Sequence, residues 1–216
     1  MINKSYEKRN INLKKLLQSY GTVFAGILII IGFSILSPDS FATLDNFINI
    51  SRQISLLVII AIGATLVMAV GEFDLAIGAM ASLGGVMAAK LSVMGLPIWL
   101  SFIIPIVIAF LIGYINGWVV TKFKVLSFIT TLAMGTILGG LTFWVTGGAT
   151  IFENIPPSFR YIGQTDWSKI PLLSIIMIIL TVIVWFVMSN TVFGRRLYAI
   201  GGNPVASRVA GINVRL

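Results

Sequence analysis

Cysteine and histidine are both absent from the 216 residues. That removes disulfides, thiolate or imidazole metal sites, cysteine nucleophiles and histidine acid–base chemistry. Charge is scarce too: 10% of the residues are charged and 57% apolar, whereas roughly a quarter of an ordinary soluble domain is charged. A water-soluble fold is disfavoured on that count alone. The 15 Lys plus Arg outnumber the 7 Asp plus Glu, for a net charge of +8, but they are too scattered for the extended basic surface that nucleic acid requires. Also missing are a Gly-x-x-x-x-Gly-Lys-Ser/Thr phosphate loop and any paired-carboxylate or Ser–Lys constellation. The sequence therefore predicts no catalytic residue, no metal and no cofactor in this chain, and no nucleic-acid partner.

What is present is a series of long apolar runs, each near the ~20 residues a bilayer-spanning helix needs. They fall at about residues 20–36, 54–70, 75–94, 97–120, 128–145 and 171–188. The expected fold is all-α, a polytopic membrane bundle of about six transmembrane helices in the lipid bilayer of the cell membrane. The first run is too long for a signal peptide and ends in Ser37, Pro38 and Asp39, so it reads as a retained helix. Lys4, Lys8, Arg9, Lys14 and Lys15 precede it. By the positive-inside rule this tail is cytoplasmic, and six crossings then place Lys122, Lys124, Arg195 and Arg196 on the same side. The chain divides into a basic cytoplasmic tail (1–19), a transmembrane domain (20–188) and a cytoplasmic segment (189–216).

Glu72 and Asp74 interrupt the second and third runs. A charge facing lipid at mid-membrane costs about 2.5–3.5 kcal/mol on insertion scales, so neither should do so. Gly71 and Gly78 bracket the pair, and Asp74 can cap a helix beginning at Leu75. A tight turn at the membrane surface and a discontinuous helix near a translocation pathway both satisfy these residues. Small residues such as those of Gly113-x-x-x-Gly117 and Gly135-x-x-x-Gly139 predict close packing between helices of the chain. Asn116, Thr130, Thr131, Thr136 and Thr142 are poorly placed against lipid and are candidates to line a polar solute path.

After the sixth run the local grammar describes one short helix over 204–210. Asn203 is a good N-cap, Pro204 suits the first helical position and Gly211 can close the helix in a left-handed C′ conformation. Val205, Val209 and Ile212 form one apolar stripe, with Ser207 and Arg208 off it, while Gly201 and Gly202 supply a flexible lead-in. Such a helix either lies on the bilayer or fits a partner's groove, and so few apolar residues favour the partner.

The same segment, with Phe193-Gly-Arg, Tyr198-Ala-Ile-Gly-Gly-Asn203 and Ala206 followed by Gly211-Ile212, resembles the cytoplasmic coupling loop of ABC-transporter permeases, in the ribose and simple-sugar branch. Gly71-Glu-Phe-Asp-Leu-Ala-Ile-Gly78 is similar to that family's Gly-x-Asp-Leu-Ser-x-Gly signature, with Ala76 where Ser is frequent. Phe41 to Ile50, Phe128-Ile-Thr-Thr-Leu132 and Thr146-Gly-Gly148 agree as well. The resemblance implies the permease subunit of an ABC importer for a ribose-like monosaccharide. It implies pairing with a second permease, identical or not, a cytoplasmic ATP-binding subunit that docks on Asn203, Pro204, Val205, Arg208, Val209, Gly211 and Ile212, and an extracytoplasmic sugar-binding protein. The pathway candidates are Asp74, Asn116, Thr130 and Thr131. The dock for the binding protein is expected within 146–170, where a plain solvated loop is the other reading. Relatives with this pattern continue for several further spans, so the chain reads as the first part of a permease, a complete short subunit being the other reading. The alternative function is an ion- or proton-coupled secondary transporter of a small polar solute, for which Glu72 and Asp74 are the only acidic candidates within the spans.

Overall fold

Apolar runs of this length leave the backbone one economical way to pair its own N–H and C=O groups inside a bilayer, the α-helix. A computed structural model describes residues 13–214, and they are helical nearly throughout. The helices are α1 (Leu13–Leu36), α2 (Pro38–Phe41), α3 (Leu44–Ala69), α4 (Ile77–Val93), α5 (Ile98–Phe123), α6 (Ser127–Thr146), α7 (Pro157–Gln164), α8 (Leu172–Asn190), α9 (Val192–Gly202) and α10 (Pro204–Val209). A two-stranded antiparallel hairpin, β1 (Asp166–Trp167) and β2 (Ile170–Pro171), precedes α8. Lys4, Lys8, Arg9 and Arg215 lie outside the described residues.

Four helices, α3, α5, α6 and α8, are long and apolar enough to cross a membrane; α4 and the apolar part of α1, Tyr20–Leu36, are shorter. Two boundaries differ from the sequence expectation. Helix α1 begins at Leu13, so Lys14 and Lys15 belong to it, and α3 begins at Leu44, ten residues before its apolar run. Polar residues continue a helix readily where it leaves lipid, so hydropathy marks the membrane and not the helix ends.

The chain divides into two units at Ile50. In the first, the Phe41 ring lies 5.5 Å from that of Phe33 and 6.0 Å from that of Phe47, and Asn46 Nδ2 donates to the Phe41 carbonyl at 2.9 Å. In the second, α4 packs against both α5 and α6, with Ala76, Leu83 and Leu138 at the centre and Met80, Met87, Ile112 and Met134 around them. Helices α3 and α8 are joined by the buried hydroxyls of Ser55 and Ser174, 3.0 Å apart, and Arg52 binds Asp166 of β1 at 2.6 Å.

Burial is inverted relative to a soluble protein. The buried side chains include Ser55, Ser92, Ser101, Asn116, Ser127, Thr131, Ser174 and Ser207, while large apolar residues such as Leu28, Leu57, Ile106, Phe110, Phe143 and Trp185 stand exposed. Each of these would forfeit about 1.5–3 kcal/mol by facing water. Lipid is therefore the medium that matches this surface, and small polar residues are the ones that let helices approach.

Candidate functional site

Between Ala69 and Ile77 the helix is broken, and the break lies against the N-terminal half of α6. An unwound stretch in a membrane must find partners for its amides inside the protein. Three side chains supply them: Phe73 N–H donates to Ser127 Oγ (3.2 Å), Leu75 N–H to Thr131 Oγ1 (3.0 Å) and Ala76 N–H to Asp74 Oδ1 (2.8 Å). Ser127, Thr131 and Gly135 recur every fourth residue and form one stripe on α6. Gly135 completes it, because a Cβ there would sit 3.5 Å from the Leu75 carbonyl oxygen and 3.6 Å from Ala76 Cα. Ile77 in turn reaches back to α3, its Cδ1 lying 3.1 Å from a Cβ position at Gly63. The break is thus packed on α6, an arrangement that fits both a surface turn and a discontinuous helix.

The sequence-predicted residues divide accordingly. Asp74 is half-buried, but the helix it was expected to cap starts at Ile77, two residues late, and Asp74 instead closes the turn just before it. Its carboxylate accepts from Ala76 N–H, and α6 supplies acceptors for the Phe73 and Leu75 amides. Thr131 is buried and holds the break. Thr130 is half-buried and its hydroxyl donates back to the Leu126 carbonyl at 3.2 Å. Asn116 is 6% exposed, and its Oδ1 has no hydrogen-bond partner among the described residues, an uncommon state for a buried amide. Ser127 was missed; its spacing from Thr131 and Gly135 was the available signal.

A cavity of about 420 Å³ lies further along α4 and α6, lined by Ala79, Ser82, Gly139, Thr142, Phe143, Thr146 and the turn from Gly148 to Thr150. Among the described residues the expected packing at Gly113-x-x-x-Gly117 is not found: none of their atoms lies within 4 Å of a Cβ at either glycine or at Gly139. On α5 it is Asn116 that is buried, while Gly113 and Gly117 stand exposed.

At the far end of α8, Thr191 caps α9 by accepting from Gly194 N–H at 3.3 Å. Gly201 and Gly202 are the last residues of α9 and not a flexible lead-in. Gly201 lies so close to α3 that a methyl group there would overlap the Ala69 carbonyl. Helix α10 follows as the sequence reads it. Asn203 Oδ1 accepts from Val205 and Ala206 N–H, both at 3.0 Å. Gly211, at φ 81°, closes the helix in a Schellman arrangement, with Gly211 N–H to Arg208 O at 3.1 Å and Ile212 N–H to Ser207 O at 2.9 Å. Ser207 is buried and Ile212 half-buried, whereas Val205 is 73% and Val209 86% exposed. Pro204, Arg208 and Gly211 are exposed as well. The stripe thus splits, with two valines outward and Ile212 drawn in.

Helix α7 and the hairpin occupy much of 146–170. Phe159 stacks on Phe102 at 5.4 Å, while Phe152, Tyr161 and Trp167 remain exposed.

Comparison with known proteins places this geometry. Residues 46–216 match the family described as the permease component of branched-chain amino acid transport systems. The ribose import permease protein of Haemophilus influenzae is 36% identical over 96% of this chain and 65% of its own length, and that of Bacillus subtilis is 36% identical with the same coverage. The D-allose transport system permease protein of Escherichia coli is 31% identical over 97% of the chain and 64% of its length. The chain thus spans just under two thirds of the length of these relatives, and no solved structure matches it. It is a multi-pass membrane protein, and it belongs to the family of branched-chain amino acid transport system permease components.

Proposed function

We propose that the chain is a membrane-spanning permease subunit of an ABC importer that translocates a ribose-like monosaccharide. ATP would be bound and hydrolysed by a separate cytoplasmic subunit. The observation that carries this reading is the outward pair Val205 and Val209 on a helix whose stem, α9, abuts the Ala69 end of α3. A partner gripping α10 moves α9, and α9 bears on α3 directly before the break. The break is tied to α6 through Ser127 and Thr131, so displacement at α10 changes the α4–α6 packing around the cavity. A sugar is favoured over an amino acid because the relatives named above are sugar permeases and because three of the four pathway candidates, Asn116, Thr130 and Thr131, are neutral hydrogen-bonding groups. A zwitterionic amino acid would call for partners of both charges, and Asp74 is the one charged group among the candidates.

In this reading the N-terminus, Lys122, Lys124 and α10 are cytoplasmic, and a second permease completes the pathway. The exposed aromatics Phe152, Tyr161 and Trp167, with Arg160, offer a dock for an extracytoplasmic sugar-binding protein. Uptake of labelled ribose-class sugars into cells producing the whole system tests the reading against secondary transport. Uptake is expected to stop when ATP is depleted and to survive ionophores that collapse ion and proton gradients. Ionophore-sensitive uptake that is indifferent to ATP would replace this proposal with the secondary transporter.

A further inference from the structure

At the end of α5 a cleft of about 670 Å³ is lined by Trp118, Thr121, Lys122, Lys124, Arg208 and Val214. Its size falls in the range of about 300–1,000 Å³ that small-molecule sites occupy. Three of the six lining residues are cations, and they come from two separate elements, α5 with its cap and α10. Among the described residues the one ion pair is Arg52–Asp166, so no described acid neutralises them. Lys124 is held at φ 55°, a left-handed conformation that glycine or asparagine adopts with less strain. Arg208 lines the cleft and lies off the outward valine stripe of α10, so its guanidinium can serve this cleft as well as the docking role that the resemblance implies for it.

We propose that this cleft is a binding site for the phosphate headgroup of an anionic membrane phospholipid. The cations match a phosphodiester in charge, and Arg208 can bind it through two parallel N–H groups. Free phosphate shares that chemistry, but the cleft also has an apolar wall, Trp118 and Val214, and it sits at the end of a 26-residue apolar helix. That is the depth at which headgroups lie and at which tryptophan concentrates. Basic pockets at such a helix end hold lipid headgroups by contributions of about 1 kcal/mol per cation, about fivefold in affinity each. A lipid held there bridges α5 and α10, and so ties the position of α10 to the composition of the surrounding leaflet. The inference needs only that this end of the bundle meets a membrane surface.

Native mass spectrometry of the full chain, purified in a neutral detergent and offered equimolar phosphatidylglycerol and phosphatidylcholine, tests it. The wild-type chain is expected to retain phosphatidylglycerol at least tenfold over phosphatidylcholine. The single variant Arg208→Gln should lose about fivefold, and Lys122→Gln/Lys124→Gln/Arg208→Gln should lose the preference entirely. The charge-keeping Lys122→Arg/Lys124→Arg/Arg208→Lys should restore it and thereby exclude a folding defect. Neutralising Arg160 and Lys169 should leave retention unchanged. Equal retention of the two lipids by the wild type, or undiminished phosphatidylglycerol in the triple Gln variant, would overturn the site. Displacement of the lipid by millimolar inorganic phosphate would overturn the lipid assignment in favour of a free anion.

Discussion

Replacing Val205 and Val209 together by glutamate is expected to remove the ATP-binding subunit from membranes that contain this chain, as read by co-purification. Burial of a valine side chain contributes about 1.5 kcal/mol or more. Two lost anchors therefore weaken docking by about 3 kcal/mol, roughly a hundredfold, before counting the cost of pressing two carboxylates into an apolar groove. The chain's own fold should be indifferent. Both residues project from α10, exposed by 73% and 86%, while the contacts that hold the helix run through Asn203, Ser207 and Gly211. Membrane insertion and melting temperature of the double variant should match the wild type. Undiminished co-purification would show that α10 is not the dock.

Gly201→Ala should have a comparable effect on transport by a different route. A Cβ at this position meets the backbone of Ala69 and Val70, so no side-chain rotation relieves the overlap and α9 must move away from α3. Overpacking of this kind costs about 1–3 kcal/mol. It falls on the contact that would carry motion from α10 to the break. Sugar uptake is expected to drop at least tenfold while the ATP-binding subunit is still recruited, because α10 itself is untouched. The neighbouring Gly202→Ala is the internal control: no group lies within 4 Å of a Cβ there, and alanine favours the helix, so uptake should be unchanged. Equal activity of the two variants would remove the α9–α3 contact from the mechanism.

These two sites differ in how far the sequence alone could reveal them, and the difference is physical. Helix α10 was legible because every contact that defines it is local. The Asn203 cap, Pro204 at the first helical position and Gly211 at C′ act within one turn of themselves. Gly201 was not legible, since two adjacent glycines read as flexibility until Ala69, more than a hundred positions away in the chain, is brought against them. The break after Ala69 stood between these cases. Glu72 and Asp74 announced that the helix could not continue, but that the break runs along α6 follows from Ser127 and Thr131, which look like ordinary helix residues. Thr131 was singled out as poorly placed against lipid and taken for a pathway candidate, and its hydroxyl accepts from the Leu75 amide, a bond the sequence does not show. Asn116 was singled out for the same reason, and it keeps its acceptor unpartnered. The glycines at 113 and 117 carried a spacing that predicts close packing, but spacing does not say which face of α5 turns inward. The long apolar helices followed from hydropathy; α2, α7, α9 and the hairpin did not, and the pairing of helices followed from buried Ser55, Ser127 and Thr131, whose partners are distant in sequence.

The central claim, that the exposed valines of α10 meet an ATP-binding subunit, can be tested directly because the chain contains no cysteine. A single Val209→Cys is then the one thiol available to a short cysteine–amine crosslinker in intact membranes. The account predicts a crosslinked product containing a polypeptide with a Gly-x-x-x-x-Gly-Lys-Ser/Thr phosphate loop, and no such product from Ser207→Cys, whose position is buried. A Val209→Cys chain that reacts with thiol reagents yet yields no crosslink to any ATP-binding polypeptide would contradict it.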